Sequence, residues 1–288
     1  MKKYLSLVKF SHTLFAMPFA LVGFFFGSVQ MGKGIDFQTL GLVVLCMVFA
    51  RSAAMAFNRW LDRDIDAANP RTQTREIPAG IISPANALAF VALNCLLFVA
   101  TSFFINPLCF YLSPVALVVV LGYSYTKRFT WFCHVVLGLG LSLAPVGAYL
   151  AVAGQFDWVP VLYGLAVLFW TGGFDVIYAL QDDQFDQQQR LYSMPAVFGR
   201  ATALGISKWM HVCTALLIVA AGWGLHKQLL EAGILTWVGT GVFIGLLVFQ
   251  HSLIKRDDLS RINLAFFTTN GIASVVFGAF VLTDLLLG

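Results

Sequence analysis

Charge is what this chain of 288 residues has least of. Only 11% of its residues are Asp, Glu, Lys or Arg, against about 25% in an average soluble domain. Hydrophobic residues make up 59%, and mean hydropathy is +0.81. A domain folded in water needs polar residues to cover its surface, so ordinary cytosolic, disordered, collagen-like and disulfide-scaffold classes are excluded. The formal charge is only +4, from 18 basic and 14 acidic residues, and no polybasic run marks a nucleic-acid partner. The five cysteines (Cys46, Cys95, Cys109, Cys133, Cys213) lie in or beside apolar runs without a C-x-x-C pair, and read as free thiols. His12, His134, His211, His226 and His251 lack ligand spacing and read as lone polar groups at span ends.

What is abundant is long apolar runs. A membrane span needs roughly 20 such residues. The chain offers runs at about 10–29, 40–57, 87–105, 108–123, 131–152, 158–180, 203–224, 234–254 and 264–285. The expected fold is therefore all-α, a polytopic bundle of about nine transmembrane helices in a single domain, 1–288. The first run is too long for a signal-peptide core and has no clear cleavage site, so it is expected to be retained. Asn106-Pro107 is the only break between the third and fourth runs and reads as a tight turn. Lys2, Lys3, Lys9, Arg59, Arg63, Arg71, Arg75, Lys127, Arg128, Arg190, Arg200, Lys255, Arg256 and Arg261 fall on one side of this topology, with only Lys33 and Lys227 opposite. The bias predicts a cytoplasmic amino terminus and cytoplasmic even-to-odd loops.

The acids are not scattered. Asp62, Asp64, Asp66, Asp175, Asp182, Asp183 and Asp186 are half of all fourteen, in two groups at the cytoplasmic ends of the second and sixth runs. Asn58, Asp62 and Asp66 recur every four residues, one stripe on a helix. Asp175, Tyr178, Asp182 and Asp186 form a second. Like charges four apart repel, more so in low dielectric, so a cation is expected between them. Hard oxygen ligands suit Mg²⁺ or Ca²⁺, and Mg²⁺ takes one or two carboxylates with water and phosphate in its other positions. Two facing stripes with Arg71, Arg75, Lys127 and Arg190 nearby point to a diphosphate held by Mg²⁺. Tyr123 and Lys127, four apart, share the face that would reach it. A solvated interfacial rim would explain one such stripe but not two in register on one membrane side. Asp64 lies off the stripes and reads as rim; Asp183 is left open.

An internal echo supports the pairing. Ile77-Pro78-Ala79-Gly80 follows the first stripe, and Met194-Pro195-Ala196-Val197-Phe198-Gly199 the second. Two similar halves would put one stripe on each wall of a cavity, with loops 67–84 and 187–200 as caps that exclude water. Arg51 lies seven residues before Asn58, two turns deeper on the same face. A buried arginine needs an anion; either an acid on another helix pairs with it, or it clamps a substrate carboxylate by its bidentate fork. Asn263 and Asn270, seven apart, read first as helix-packing hydrogen bonders.

These residues resemble the UbiA superfamily of intramembrane prenyltransferases. Asn58-Arg59-Trp60-Leu61-Asp62-Arg63-Asp64-Ile65-Asp66 is similar to the family's N-x-x-x-D-x-x-x-D, and Arg71-Thr72-Gln73-Thr74-Arg75-Glu76-Ile77-Pro78-Ala79-Gly80 to its R-T-x-x-R-x-[LI]-P-x-G. Asp175, Tyr178, Ala179, Asp182 and Asp186 match D-x-x-Y-A-x-x-D-x-x-x-D, and Tyr123-Ser124-Tyr125-Thr126-Lys127 matches Y-x-x-x-K. The resemblance implies a nine-helix bundle around a central cavity open sideways to lipid, in a bacterial inner membrane, with the site on the cytoplasmic side. It implies Mg²⁺-dependent transfer of a prenyl group from polyprenyl diphosphate. Asn58, Asp62, Asp66, Asp182 and Asp186 would hold Mg²⁺ and diphosphate, gripped also by Arg71, Arg75 and Lys127. Tyr123, Tyr178 and Asp175 would sit near the prenyl C1 and the acceptor, and Arg51 would bind an aromatic acceptor's carboxylate. The segments 10–18 and 191–195 resemble the 4-hydroxybenzoate polyprenyltransferase branch of respiratory quinone synthesis, ubiquinone or menaquinone. They also resemble a bacterial subgroup acting on 1,4-dihydroxy-6-naphthoate on the futalosine route to menaquinone, which Glu76 fits somewhat better.

The mechanism expected on these grounds is loss of diphosphate toward an allylic cation, stabilised by Mg²⁺, basic groups and a tyrosine face. Attack by the electron-rich ring follows, then loss of its proton to diphosphate oxygen or Asp175. A secondary transporter would also carry intramembrane acids and a pseudo-repeat, but near the midplane on broken helices; here the acids cluster at one edge. Nothing in the sequence sets tail length or oligomeric state.

Overall fold

The computed structural model describes residues 2–8, 15–229 and 233–287. The described residues form helices α1 (Lys2–Val8), α2 (Met17–Gln30), α3 (Phe37–Leu61), α4 (Arg63–Ala68), α5 (Pro84–Ile105) and α6 (Pro107–Thr126). They continue as α7 (Cys133–Ala153), α8 (Trp158–Ala179), α9 (Asp183–Gln188), α10 (Met194–Leu229), α11 (Ile234–Leu253) and α12 (Asn270–Leu287), the last entered through a π-helical turn, Leu264–Thr269. In lipid every backbone polar group needs an internal partner, which a helix supplies. Eight helical segments are long and apolar enough to cross a bilayer, and α2, with 14 residues, is a shorter apolar helix. These nine match the nine apolar runs. Lys9, His12 and the start of the first run lie outside the described residues.

The helix ends follow local chemistry. Asp36, Ser83, Asn106 and Asp157 cap α3, α5, α6 and α8, each side chain accepting a backbone N–H of the first turn. Asn106-Pro107 is the whole connection between α5 and α6: asparagine caps and proline takes the first helical position, where its missing N–H costs nothing. The bundle centres on α8, which packs between α7 and α10; α3 packs on α5, and α2 on α7. Close approach needs small residues. A Cβ added at Gly138 of α7 would lie 2.3 Å from the Leu168 carbonyl oxygen of α8. Trp170 of α8 is fully buried among Phe15, Phe19, Phe174 and Phe243, and its Nε1 donates to Asn270 Oδ1 at 3.0 Å.

Asn270 is thus a packing hydrogen bonder, but Asn263 is exposed. The π-helical turn between them takes more residues per revolution than an α-helix, so a seven-residue spacing no longer returns to one face. The five cysteines are free. The second cap is shorter than the 187–200 expected, because α10 already begins at Met194 and only kinks at Gly199 (φ 76°). Gly80 (φ 72°) ends the matching Pro–Gly element of the first cap, also with a positive φ, which glycine adopts without strain.

Candidate active site

Both acid motifs are built alike. α3 ends at Leu61, Asp62 sits at the break with φ −90° and ψ 6°, and the six-residue α4 carries Asp66. α8 ends at Ala179, Asp182 sits at the second break with φ −111° and ψ 5°, and the six-residue α9 carries Asp186. The stripes therefore do not run along single helices as the spacing alone implies. The four-residue backbone step survives each break, since Asp66 N–H donates to Asp62 O at 2.7 Å and Asp186 N–H to Asp182 O at 2.8 Å.

The two breaks face one cavity of about 300 Å³, lined by Arg51, Asn58, Asp62, Asp66, Arg71, Arg75, Tyr123, Lys127, Asp175, Tyr178, Asp182 and Asp186. These twelve, each given a site role from the sequence, are brought together. Contacts also cross between the motifs. Asn69 Nδ2 donates to Asp182 Oδ1 at 3.1 Å, and Arg71 forks onto Asp182 through Nε (2.8 Å) and Nη2.

Basic groups separate the like charges. Lys127 Nζ lies 2.5 Å from Asp62 Oδ2, Arg128 Nη2 2.8 Å from Asp62 Oδ1, and Arg75 Nη1 2.6 Å from Asp66 Oδ1. Asp62 and Asp66 are 2% and 4% exposed, so removing their partners would leave buried, uncompensated charge. Burial raises the Asp186 carboxyl above the usual carboxylate range, while the Ser193 hydroxyl, donating at 2.8 Å, pulls it down. Desolvation works against the charge of Arg71, but its bonds to Asp182 outweigh this and raise its pKa.

Among the described residues no three carboxylate, histidine or cysteine groups converge on one metal position. Asp66 Oδ2, buried, has no hydrogen-bond partner, and Arg59 stands 3.9 Å away. Hard oxygens supplied one or two per position, with phosphate to complete the shell, fit Mg²⁺ better than a metal needing a full protein cage.

Arg51 Nε is buried without a hydrogen-bond partner, and no acid pairs with the guanidinium among the described residues. This leaves the helix-to-helix ion pair without a partner acid. Arg51 also lines a second, apolar cavity of about 370 Å³ between α3, α6 and α7, and Met55, Tyr123, Leu137 and Leu141 border both. The polar chamber and the apolar channel thus meet at Arg51 and Tyr123. Tyr178 stacks on Phe266 at 4.2 Å, and Arg71 sits 5.6 Å from its ring centre.

Three expectations are corrected, and Asp183, left open above, finds its partner. Arg190 is exposed and does not line the cavity; the chain reverses there, with φ 54°. Asp183 faces away and forms a bidentate pair with Arg200 (2.5 and 3.0 Å), which ties α9 to α10. His211 and His251 are bonded to each other at 2.9 Å rather than lone. His134 is not lone either: its Nδ1 lies 2.7 Å from Asp175 Oδ2. Asp64 is an exposed rim residue as read. The sequence reading missed Asn69, Arg59, Arg128 and His134 as site residues. Arg59 lies inside the first matched segment and Asn69 in the short gap before the next, so both were findable there; His134 stands alone at the start of a span, with no spacing to flag it.

A family profile described as "UbiA prenyltransferase family" matches residues 16–272. A 4-hydroxybenzoate octaprenyltransferase of Aliivibrio fischeri (strain MJ11) is 32% identical over 242 residues, 84% of this chain and 82% of that protein. One of Nitrosomonas eutropha is 31% identical over 251 residues, covering 87% and 86%. The apo structure of a UbiA homolog from Aeropyrum pernix K1 superposes with a TM-score of 0.83 at 29% identity, covering 95% of this chain and 98% of that one. A UbiA homolog from Archaeoglobus fulgidus bound to GPP and Mg²⁺ shares the fold, with a TM-score of 0.77 at 24% identity over 99% of each chain. A helical membrane bundle with two facing acid motifs, matched along most of its length, leaves one assignment: the chain belongs to the UbiA prenyltransferase family.

Proposed function

We propose that the protein transfers a polyprenyl group from polyprenyl diphosphate to an aromatic carboxylic acid of the 4-hydroxybenzoate type, in quinone biosynthesis. The observation that carries this is the junction of chambers: a basic and acidic one sized for a diphosphate opens, at Arg51 and Tyr123, into an apolar channel suited to an isoprenoid tail. The names of the curated relatives support the acceptor class. Segments 10–18 and 191–195 resemble both acceptor groups, and Glu76, which fitted the naphthoate alternative somewhat better, accepts a hydrogen bond from Ser6 at 2.5 Å and does not line the cavity. The relatives do not favour that alternative.

Asn58, Asp62, Asp66, Asp182 and Asp186 are assigned to Mg²⁺, which, when bound, supplies electrophilic stabilisation of the leaving diphosphate. Arg71, Arg75 and Lys127 now rest on carboxylates; in the substrate complex they turn to diphosphate oxygens, charge-assisted contacts that strengthen as the C1–O bond breaks. The aromatic ring of Tyr123 faces the developing allylic cation at the channel mouth. Arg51 holds the acceptor carboxylate, placing the ring against C1. Asp175, on the chamber wall, takes the ring proton after the C–C bond forms. The caps exclude water that would otherwise capture the cation. The arginine and lysine bias supports a bacterial inner-membrane location with amino terminus and chamber at the cytoplasmic side. The test is incubation of membranes with Mg²⁺, polyprenyl diphosphate and either acid, followed by the mass of the lipid product. A prenylated hydroxybenzoate supports the reading; no product with either acid overturns it.

A further inference from the structure

The residue that no motif explains is His134. It begins α7, is 3% exposed and lines the chamber. Its Nε2 faces the backbone N–H of Met194 at 3.2 Å, and its Nδ1 faces Asp175 Oδ2 at 2.7 Å. A backbone N–H only donates, so Nε2 carries a lone pair and the single ring proton sits on Nδ1, aimed at the carboxylate. The segment leading to Met194 is held at several points: Tyr192 N–H donates to Lys127 O at 2.7 Å, Ser193 Oγ to Asp186 Oδ2 at 2.8 Å, and the Cys133 thiol to Tyr192 O at 3.3 Å.

We infer that His134 is a positioning residue for proton removal: it locks one oxygen of Asp175, leaves the other facing the acceptor ring, and ties that carboxylate to the strap carrying the Asp186 contact. The inference rests on the reading of Asp175 as base. The balance is simple. The C1–O pair leaves with diphosphate, a ring carbon forms the bond to C1, and the displaced ring proton passes to Asp175 Oδ1. His134 does not relay that proton onward, because Nε2 is closed by a backbone N–H that has nowhere to pass one. This sets it apart from the histidine of a hydrolase triad, which shuttles the proton itself.

The test uses full-length enzyme in lipid with Mg²⁺, polyprenyl diphosphate and 4-hydroxybenzoate, unlabelled or deuterated on the ring beside the hydroxyl. His134→Ala is expected to lower kcat about tenfold to a hundredfold, the scale of a misplaced catalytic group, with the donor KM within about twofold. It is also expected to acquire a primary deuterium isotope effect, because proton loss becomes slow. His134→Asn keeps an N–H near the Nδ1 position and is expected to recover most of kcat without the isotope effect. His134→Gln places its amide near Nε2 and is expected not to recover. Equal behaviour of the Asn and Gln variants, or an alanine variant with wild-type kcat and no isotope effect, overturns the inference. Asp175→Asn separates the two layers. If it is inactive while His134→Ala is normal, only the positioning role fails; if it is fully active, the reading of Asp175 as base fails.

Discussion

Replacing Arg51 by methionine separates binding from stability in one variant. The guanidinium lies within a span, its Nε is buried without a partner, and no acid pairs with it. A carboxylate docked on it would form a water-excluded, charge-assisted pair. Removing one partner of such a pair costs about 2–5 kcal/mol. At about 1.4 kcal/mol per tenfold, acceptor kcat/KM should fall by roughly thirtyfold to several thousandfold. The fall belongs in the acceptor KM, because the carboxylate is held equally in ground and transition states. The donor KM should not move, since Lys127, Arg71 and Arg75 are untouched. Folding should not suffer either: methionine of similar length removes a charge that gains no protein partner in the free enzyme. Arg51→Lys should fall between, keeping charge but losing the planar fork. The assay is steady-state prenyl transfer with each substrate varied, beside thermal unfolding of the same preparations. Unchanged acceptor kinetics, or a rise confined to the donor KM, would refute the clamp. A large drop in unfolding temperature would refute the claim that Arg51 serves the ligand rather than the fold.

Three further outcomes are expected. Asp62→Ala and Asp182→Ala should each abolish Mg²⁺-dependent turnover, measured as product per folded enzyme; wild-type activity in either would remove that carboxylate from the metal and diphosphate site. Gly147 lines the apolar channel with open space where a Cβ would go, so Gly147→Leu should fold normally yet raise KM for long polyprenyl diphosphates while sparing geranyl diphosphate. An equal effect on both donors would mean the tail lies elsewhere. Gly138→Ala puts a methyl 2.3 Å from the Leu168 carbonyl and should destabilise by about 1–3 kcal/mol, the usual scale of overpacking, read as a lower unfolding temperature; an unshifted value would show that α7 and α8 part without cost.

Much of this was legible because lipid is a strict solvent. Apolar run length marks spans, and Asn106-Pro107 marks a boundary by its own chemistry. The site was legible because carboxylates are expensive at a membrane edge, so two clusters of them signal a shared ligand. Periodicity could not show the breaks at Asp62 and Asp182, where the chain turns into short helices without losing its four-residue step. Nor could it reveal His134, which meets Asp175 where α7 packs on α8, or Arg128, whose guanidinium reaches Asp62 because of where α6 ends. The π-helical turn at Leu264–Thr269 defeated the pairing of Asn263 with Asn270 for the same reason: it is set by tertiary partners such as Gln250, which donates to the Ala265 carbonyl at 3.0 Å.

The most direct test is crystallographic: the enzyme with Mn²⁺ and a non-hydrolysable polyprenyl thiodiphosphate, with anomalous scattering locating the metal. One diphosphate is predicted to span the chamber, its metal ions bound on one side by Asp62 or Asp66 and on the other by Asp182 or Asp186. A diphosphate and its metals held by a single motif, with the other still closed on Arg71 or Lys127, would contradict the account.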